Sequence, residues 1–253
     1  MGLLKQIVEL NSSGEVNQTA EIDIAIDSAI LHISEFAKDS SMTNVNLLMI
    51  GGASLHVNGL RGNFADIDLM VDGIELSPRM DQHAFECPKT GMSLEIFYQN
   101  KITTINDPKM FERSPEMISR KVNGIDYSVS CYPPEYFLFM KMEMGRDKCQ
   151  KDIQVLLQNI PQSDILRAFN ELAKHNEDWV MSDMADMLIT DLIMLNMPGS
   201  SMGDETPSLV DFCKELDVDP KKKKEITMMC KIVEIQNKKK IKLRSVDSDC
   251  PSI

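Results

Sequence analysis

Two aspartates separated by one residue, Asp66 and Asp68, are the side chains whose spacing points most directly to chemistry. They open an apolar run, and side chains separated by one residue on a β-strand point to the same face. Aspartate is depleted from strands, and neighbouring carboxylates repel each other unless a positive charge lies between them. Mg²⁺ takes oxygen ligands and is commonly held by carboxylates together with substrate phosphates. The pair therefore predicts a metal-dependent site, with a hydrated strand end as the structural alternative.

A glycine pair precedes these aspartates and predicts a turn. Gly51 and Gly52 end an apolar run over residues 47–50, and the start of a helix is expected at residues 53–57. Glycine lets a backbone approach a phosphate closely, and a helix N-terminus offers free N–H groups to an anion. Ser54 adds a hydroxyl group. The segment therefore predicts a phosphate-binding turn, and a plain strand-to-helix turn is the alternative.

The order of these segments resembles the nucleotidyltransferase superfamily with the DNA polymerase β-like fold. The first matching block is Gly51-Gly52-Ala53-Ser54, followed about a dozen residues later by Asp66-Ile67-Asp68. The second block begins with Tyr132-Pro133-Pro134-Glu135 and continues with Lys141, Arg146, Lys148, Lys151 and Asp152-Ile153. Together the blocks are most similar to the small prokaryotic branch, which includes abortive-infection and type IV toxin nucleotidyltransferases.

The resemblance implies transfer of a nucleoside monophosphate from an NTP to a hydroxyl group, with release of pyrophosphate. It implies two Mg²⁺ ions bridged by the triphosphate and held by three carboxylates, those of Asp66, Asp68 and Glu95. Glu95 is chosen because it lies in an apolar run, residues 92–97, where an unpaired charge is costly to bury. It would bind one metal and orient or deprotonate the acceptor hydroxyl. A solvated face of an edge strand is the alternative for Glu95.

Further residues would bind the nucleotide. Lys141 lies in an otherwise apolar helix, so it either reaches solvent or points at an anion. Asp152 would orient Lys141 or Arg146 through an ion pair, and Arg146 would help to offset charge on the leaving group. The alternative for these charges is a solvated loop or helix end. The nucleotide-binding residues expected are Gly51, Gly52, Ser54, Arg61, Lys141, Arg146, Lys148 and Asp152.

We expect an α+β fold, with an N-terminal nucleotidyltransferase-type mixed sheet flanked by helices over residues 1–131 and a helical part over residues 132–253. Asn123-Gly124 is typical of a two-residue hairpin turn between two strands. Strands are expected at residues 45–50, 66–71, 93–98, 118–122 and 125–131, with a further short strand near Phe85. Helices are expected at residues 17–38, 134–144, 147–159, 163–175, 178–196, 208–216 and 221–240.

Composition and charge bound the function further. The sequence contains no long apolar run and no secretory-type N-terminus, so we expect a cytoplasmic protein without membrane spans. Its six scattered cysteines favour reduced thiols. The net charge is −12, but residues 221–244 hold ten Lys or Arg and two Glu. This basic segment is a candidate RNA-binding surface, with a solvated helix face as the alternative.

The sequence therefore predicts a cytoplasmic, Mg²⁺-dependent nucleotidyltransferase whose acceptor is a tRNA-like RNA, as in toxin-type members that are paired with a protein antitoxin or regulator. A protein or a small cationic molecule is the alternative acceptor. A non-catalytic binding module is a second possibility, because Gly62 and Phe64 stand where the branch often has a basic residue and a threonine. An interaction protein that works through its helical half is the third.

Overall fold

The computed structural model describes residues 16–37, 42–72, 82–98, 104–145, 147–195 and 208–247. The fold is α+β, as expected, with a mixed sheet flanked by helices and a helical C-terminal part. Internal contacts divide the chain into two compact units, Met1–Phe137 and Leu138–Ile253. The expected boundary followed residue 131, so the structure adds the start of the next helix to the first unit.

Six strands form one sheet in the order β3-β4-β2-β1-β6-β5. The pairs β1–β6 and β2–β4 are parallel, whereas the other three pairs are antiparallel. The expected short strand near Phe85 is present as the edge strand β3. The strands are β1 (Asn44–Ile50), β2 (Asp66–Asp72), β3 (Gln82–Glu86), β4 (Ser93–Tyr98), β5 (Glu116–Val122) and β6 (Ile125–Cys131).

The sheet buries one face against the long helix α1 (Val16–Ala37). Alternation along the strands produces this face, since Ile67, Leu69 and Val71 of β2 pack in this core while Asp66 and Asp68 are only partly buried. Helix α1 contributes buried side chains at helical spacing. These are Ile22, Ala25, Ile26, Ala29, Ile30 and Ile33.

Short elements connect the strands of the first unit. Helix α2 (Gly51–Val57) follows β1 directly, and α3 (Met110–Arg113) precedes β5. The β5–β6 hairpin turns at Asn123 and Gly124, whose φ angles of 54° and 85° match the two left-handed positions of a type I′ turn. The Asn-Gly signal in the sequence therefore identified this hairpin correctly.

The second unit is helical. Helix α4 (Pro134–Met144) enters it, and Phe139 packs edge-on against Phe169 in its core, with ring centroids 5.8 Å apart. Among the described residues, no helix is long and apolar enough to cross a membrane. The remaining helices are α5 (Asp147–Asn159), α6 (Gln162–Ala173), α7 (Asp178–Leu195), α8 (Leu209–Glu215) and α9 (Pro220–Asp247).

Candidate active site

The register of β2 and β4 brings the three predicted carboxylates onto neighbouring positions. Asp68 pairs with Glu95, and Asp66 pairs with Ser93. Adjacent strands lie about 4.8 Å apart, and residues in register on parallel strands point to the same face. All three acidic residues are half-buried, on the face opposite the α1 core. Because β4 lies between β2 and β3, the edge-strand alternative for Glu95 is wrong.

The glycine turn lies directly against Asp68. Ile50, the last residue of β1, pairs with Asp68, so the next residue, Gly51, lies beside this aspartate. Gly51 has a φ of +71°, and a Cβ atom built on it would lie 2.0 Å from Asp68 Oδ2. Only glycine combines this left-handed backbone with this close approach. The predicted turn and the predicted carboxylate therefore meet in the structure.

Arg61 and Phe64 lie against the second glycine. A Cβ atom on Gly52 would lie 3.1 Å from Arg61 Nη1 and 3.3 Å from the Cβ of Phe64. The loop that carries them folds back on α2, where His56 Nδ1 lies 3.0 Å from the Arg61 carbonyl oxygen. The rings of His56 and Phe64 are 5.1 Å apart. The ring contact joins α2 to the loop that carries Arg61, and local sequence pattern does not predict it.

Ser54 has a different environment from the one expected. Its side chain is fully buried, and its hydroxyl donates to the carbonyl oxygen of Tyr132 at 3.3 Å. The hydroxyl oxygen of Ser54 also lies 3.2 Å from Cys131 Sγ. The hydroxyl therefore connects α2 to the end of β6, and this position favours a structural role over a direct phosphate contact.

A buried network of charged and polar side chains is bonded to β1, the strand that leads into the Gly51 turn. The sequence did not predict this network. Asp107 is buried, and its carboxylate accepts hydrogen bonds from the Tyr132 hydroxyl at 2.8 Å and from Arg113 Nη2 at 3.0 Å. The Arg113 guanidinium also lies 3.9 Å from the centroid of the Tyr136 ring. The Tyr132 backbone N–H donates to Met49 in β1 at 3.1 Å. Asp107 and Arg113 lie in the segment before β5, whereas Tyr132 follows β6, so no local periodicity in the sequence marks the three side chains.

Burial raises the pKa of Tyr132 well above its usual value, and the nearby negative charge of Asp107 raises this pKa further. The hydroxyl therefore remains a hydrogen-bond donor across the physiological pH range. A protonated Tyr132 and an ionised Asp107 form a charge-assisted hydrogen bond, which is stronger than a neutral one.

The carboxylates have the chemistry of a magnesium site without forming a closed ligand cluster. Among the residues that the structure describes, no three His, Cys, Asp or Glu side chains are grouped closely enough to hold a metal ion. The backbone register nevertheless fixes Asp66, Asp68 and Glu95 as neighbours, and rotation about their side-chain bonds can bring the oxygens together. Three carboxylates are a ligand set for a hard cation such as Mg²⁺. By residue type, they suit the expected ion.

The predicted cations of the second block lie in the helical unit. Lys141 Nζ lies 3.0 Å from Asp152 Oδ2, and both side chains are nearly buried, with exposed fractions of 10% and 13%. The ion pair expected between these two residues is therefore present. Arg146 and the side chain of Lys148 lie outside the described part of the chain. Lys151 is exposed on α5.

We predict that Gly51→Ala destabilises the protein more than the matched control Gly59→Ala. Both glycines have left-handed φ angles, +71° and +72°, but a Cβ atom at Gly59 would meet nothing within 4 Å. The control therefore measures the backbone cost alone, about 1–2 kcal/mol, whereas Gly51→Ala adds a collision with the Asp68 carboxylate. Urea denaturation would measure both losses. Equal losses in the two variants would show that Asp68 does not lie against Gly51.

We predict that Tyr132→Phe lowers the free energy of unfolding at pH 8 by about 1.5–3 kcal/mol, the contribution of a hydrogen bond to a charged group. Because the pKa of Tyr132 is raised on folding, its contribution is complete below about pH 10 and decreases as the pH rises above that value. Urea denaturation of both proteins between pH 8 and pH 11 should show their difference shrinking. A constant difference would contradict the raised pKa.

Comparison with known proteins gives no family for this chain. No protein-family model matches it, and the searches of curated proteins and of solved structures found no match. The resemblance to nucleotidyltransferases therefore remains a prediction from the motifs.

Proposed function

We propose that this protein is a Mg²⁺-dependent nucleotidyltransferase, which transfers a nucleoside monophosphate from an NTP to a hydroxyl group. The proposal rests on the alignment of Glu95 with Asp68, next to Gly51, whose backbone adopts the left-handed conformation. Three carboxylates on one face supply the hard oxygen ligands that a metal–triphosphate complex requires, and the glycine turn lies beside them. Positioning and electrostatics would provide the catalysis, without a covalent enzyme intermediate.

In this proposal Asp66, Asp68 and Glu95 hold the two ions. Bound Mg²⁺ would polarise the phosphoryl oxygens and stabilise the charge on the attacking and leaving oxygens. Glu95 would accept the proton of the acceptor hydroxyl. The oxygen of that hydroxyl would form a bond to the α-phosphorus, the bond from this phosphorus to the bridging oxygen would break, and pyrophosphate would leave.

The remaining residues would bind the phosphates. Gly51 and Gly52 would present backbone to a phosphate, and the guanidinium group of Arg61 against Gly52 is suited to paired hydrogen bonds with phosphate oxygens. Lys141, together with Arg146 and Lys148, would offset the charge of the leaving pyrophosphate. In this role Lys141 would share its charge between Asp152 and the nucleotide.

RNA is the acceptor that we propose, because residues 221–244 carry ten basic side chains against two glutamates. Such a segment attracts the phosphate backbone of a nucleic acid. A tRNA-like acceptor would agree with a toxin-type role in the cytoplasm, in which a protein antitoxin or regulator controls the enzyme. A protein or a small cationic molecule, as the alternative acceptor, would instead bind to the acidic remainder of the chain.

A non-catalytic nucleotide-binding module is the second candidate, and Phe64 is the observation that favours it. The ring of this residue packs on His56, and its Cβ lies against the Gly52 backbone. It therefore puts an apolar group beside the turn, where the related branch often has a threonine. Such a module would bind a nucleotide without transferring its nucleoside monophosphate to an acceptor.

We predict that Asp68→Ala lowers the rate of nucleotide transfer by at least about 100-fold and raises the dissociation constant for Mg²⁺ in the presence of NTP. The matched control is Asp72→Ala, an exposed carboxylate on the same strand and face, about 13 Å from Asp68. Each of the four labelled NTPs would be incubated with the protein and total cellular RNA, and label in RNA or protein would be measured.

Three outcomes of this experiment are informative. Full activity in Asp72→Ala with loss in Asp68→Ala supports the proposed site. Transfer that survives Asp68→Ala would show that the site is elsewhere. Failure of the unmodified protein to transfer label, together with Mg²⁺-dependent NTP binding measured by calorimetry, would assign it to the second candidate.

We predict that Lys141→Met destabilises the protein by about 3 kcal/mol, because a nearly buried ion pair is broken. The double variant Lys141→Met/Asp152→Leu should recover most of this loss, since it removes both charges. Transfer activity should remain low in the stable double variant if Lys141 also acts on the nucleotide. Activity that returns together with stability would limit Lys141 to a structural role.

A further inference from the structure

Helix α7 of the second unit carries an exposed face that is both apolar and acidic. Trp179 and Met194 are 64% and 55% exposed, and Met187 is 37% exposed. Their spacings of eight and seven residues place them on one side of the helix, and exposed Asp183 and Thr190 lie between them. The helix contains four aspartates and no lysine or arginine. Three large apolar side chains along one exposed helix face are typical of an interaction surface.

Helix α9 carries a second exposed face, which is apolar and basic. Met228, Ile232 and Ile235 are 63%, 47% and 55% exposed, and their spacings of four and three residues place them on one side of the helix. Ile226 and Cys230 on the other side are buried, and Cys230 Sγ lies 3.4 Å from Cys213 Sγ of α8. Residues 220–236 include five lysines and two glutamates. The buried side of α9 is therefore used within the unit, whereas its apolar stripe is exposed.

The two faces belong to neighbouring helices. Helices α7 and α9 contact each other, and Lys222 Nζ of α9 lies 2.7 Å from Asp186 Oδ2 of α7. The lengths of the two faces also match, since the 18 residues of α7 extend about 27 Å and residues 220–236 extend about 25 Å. We name the two faces together the α7–α9 surface; α7 is its acidic half and α9 is its basic half.

We propose that two copies of this chain associate through the α7–α9 surface, with α7 of each copy packed against α9 of the other. A twofold axis brings each half of such a surface against the opposite half of the second copy. The acidic side chains of one copy then meet the lysines of the other, and the apolar stripes of both copies leave water together.

The distribution of charge favours a second copy of this chain as the partner, with α7 of one copy packed against α9 of the other. Pairing α7 with α7 would bring four exposed aspartates together, and pairing residues 220–236 with the same residues of a second copy would bring six exposed lysines together against two exposed glutamates. An RNA phosphate backbone would meet the aspartates of α7 unfavourably and gain nothing from Met228, Ile232 and Ile235. The basic residues at 238–244 lie beyond the described stripe and remain suited to the proposed RNA contact.

Two measurements test the association. Sedimentation velocity over protein concentrations up to about 100 µM should show a dimer. Trp179 is the single tryptophan of the chain and lies in the proposed interface, so its emission should shift to shorter wavelength as the dimer forms. The variant Ile232→Glu should raise the dimer dissociation constant at least tenfold. The control Leu31→Glu changes a 57% exposed side chain of α1 and should leave the dimer unchanged.

A charge exchange tests the reciprocal arrangement. One variant is Lys224→Glu/Lys231→Glu in α9, and the other is Asp178→Lys/Asp183→Lys in α7; all four positions are exposed. Each variant alone should be monomeric, because the fully exposed charged side chains of its two halves then have the same net sign. An equal mixture should form a heterodimer, because each altered half meets its opposite charge. Circular dichroism and thermal unfolding would establish that both variants fold.

Several results would overturn the proposal. These are a wild-type protein that stays monomeric, a dimer that resists Ile232→Glu, or a mixture of the folded charge variants that stays monomeric. Stronger self-association of the α9 variant would indicate α9–α9 pairing instead. Association that requires added RNA would assign the surface to RNA. None of these measurements depends on nucleotide transfer, so the proposal stands or fails separately from the proposed function.

Discussion

The alignment of β2 with its two neighbours is the constraint on which the candidate site depends. Parallel pairing places Glu95 beside Asp68, and antiparallel pairing with β1 places the Gly51 turn beside the same aspartate. Because side chains alternate along a strand, a shift of one residue in this register would turn the carboxylates toward the apolar core. The buried residues Ile67 and Leu69 oppose such a shift. The packing of the core therefore also determines where the acidic groups point.

Two other groups of contacts hold the turn in place. On one side, Tyr132 joins the end of β1 to buried Asp107, whose charge is balanced by Arg113. On the other, the loop with Arg61 and Phe64 folds back over Gly52. The left-handed backbone of Gly51 is thus enclosed between a buried polar network and a packed loop. Both arrangements limit the movement of a segment that, in the proposed function, would have to contact phosphate without reorganising.

The sequence predicted the parts of the site that local pattern encodes. Alternation identified β2, the Asn-Gly pair identified the β5–β6 hairpin, and an acidic residue within an apolar run marked Glu95. Contacts between distant segments cannot be predicted from such local patterns. The buried Asp107–Tyr132 bond joins residues 25 positions apart, and the hydroxyl of Ser54, expected at the phosphate, is instead bonded to Tyr132. Side-chain direction at a tight turn depends on tertiary packing, which residue type and spacing do not specify.

The central claim is that Asp66, Asp68 and Glu95 share a divalent cation. Crystals soaked with Mn²⁺, which prefers the same oxygen ligands as Mg²⁺, and with a non-hydrolysable NTP would test it most directly. The account predicts an anomalous peak about 2 Å from carboxylate oxygens of both Asp68 and Glu95, with the triphosphate next to Gly51. Bound nucleotide with its Mn²⁺ located away from these carboxylates would contradict it, as would the absence of an anomalous peak at saturating Mn²⁺ and NTP.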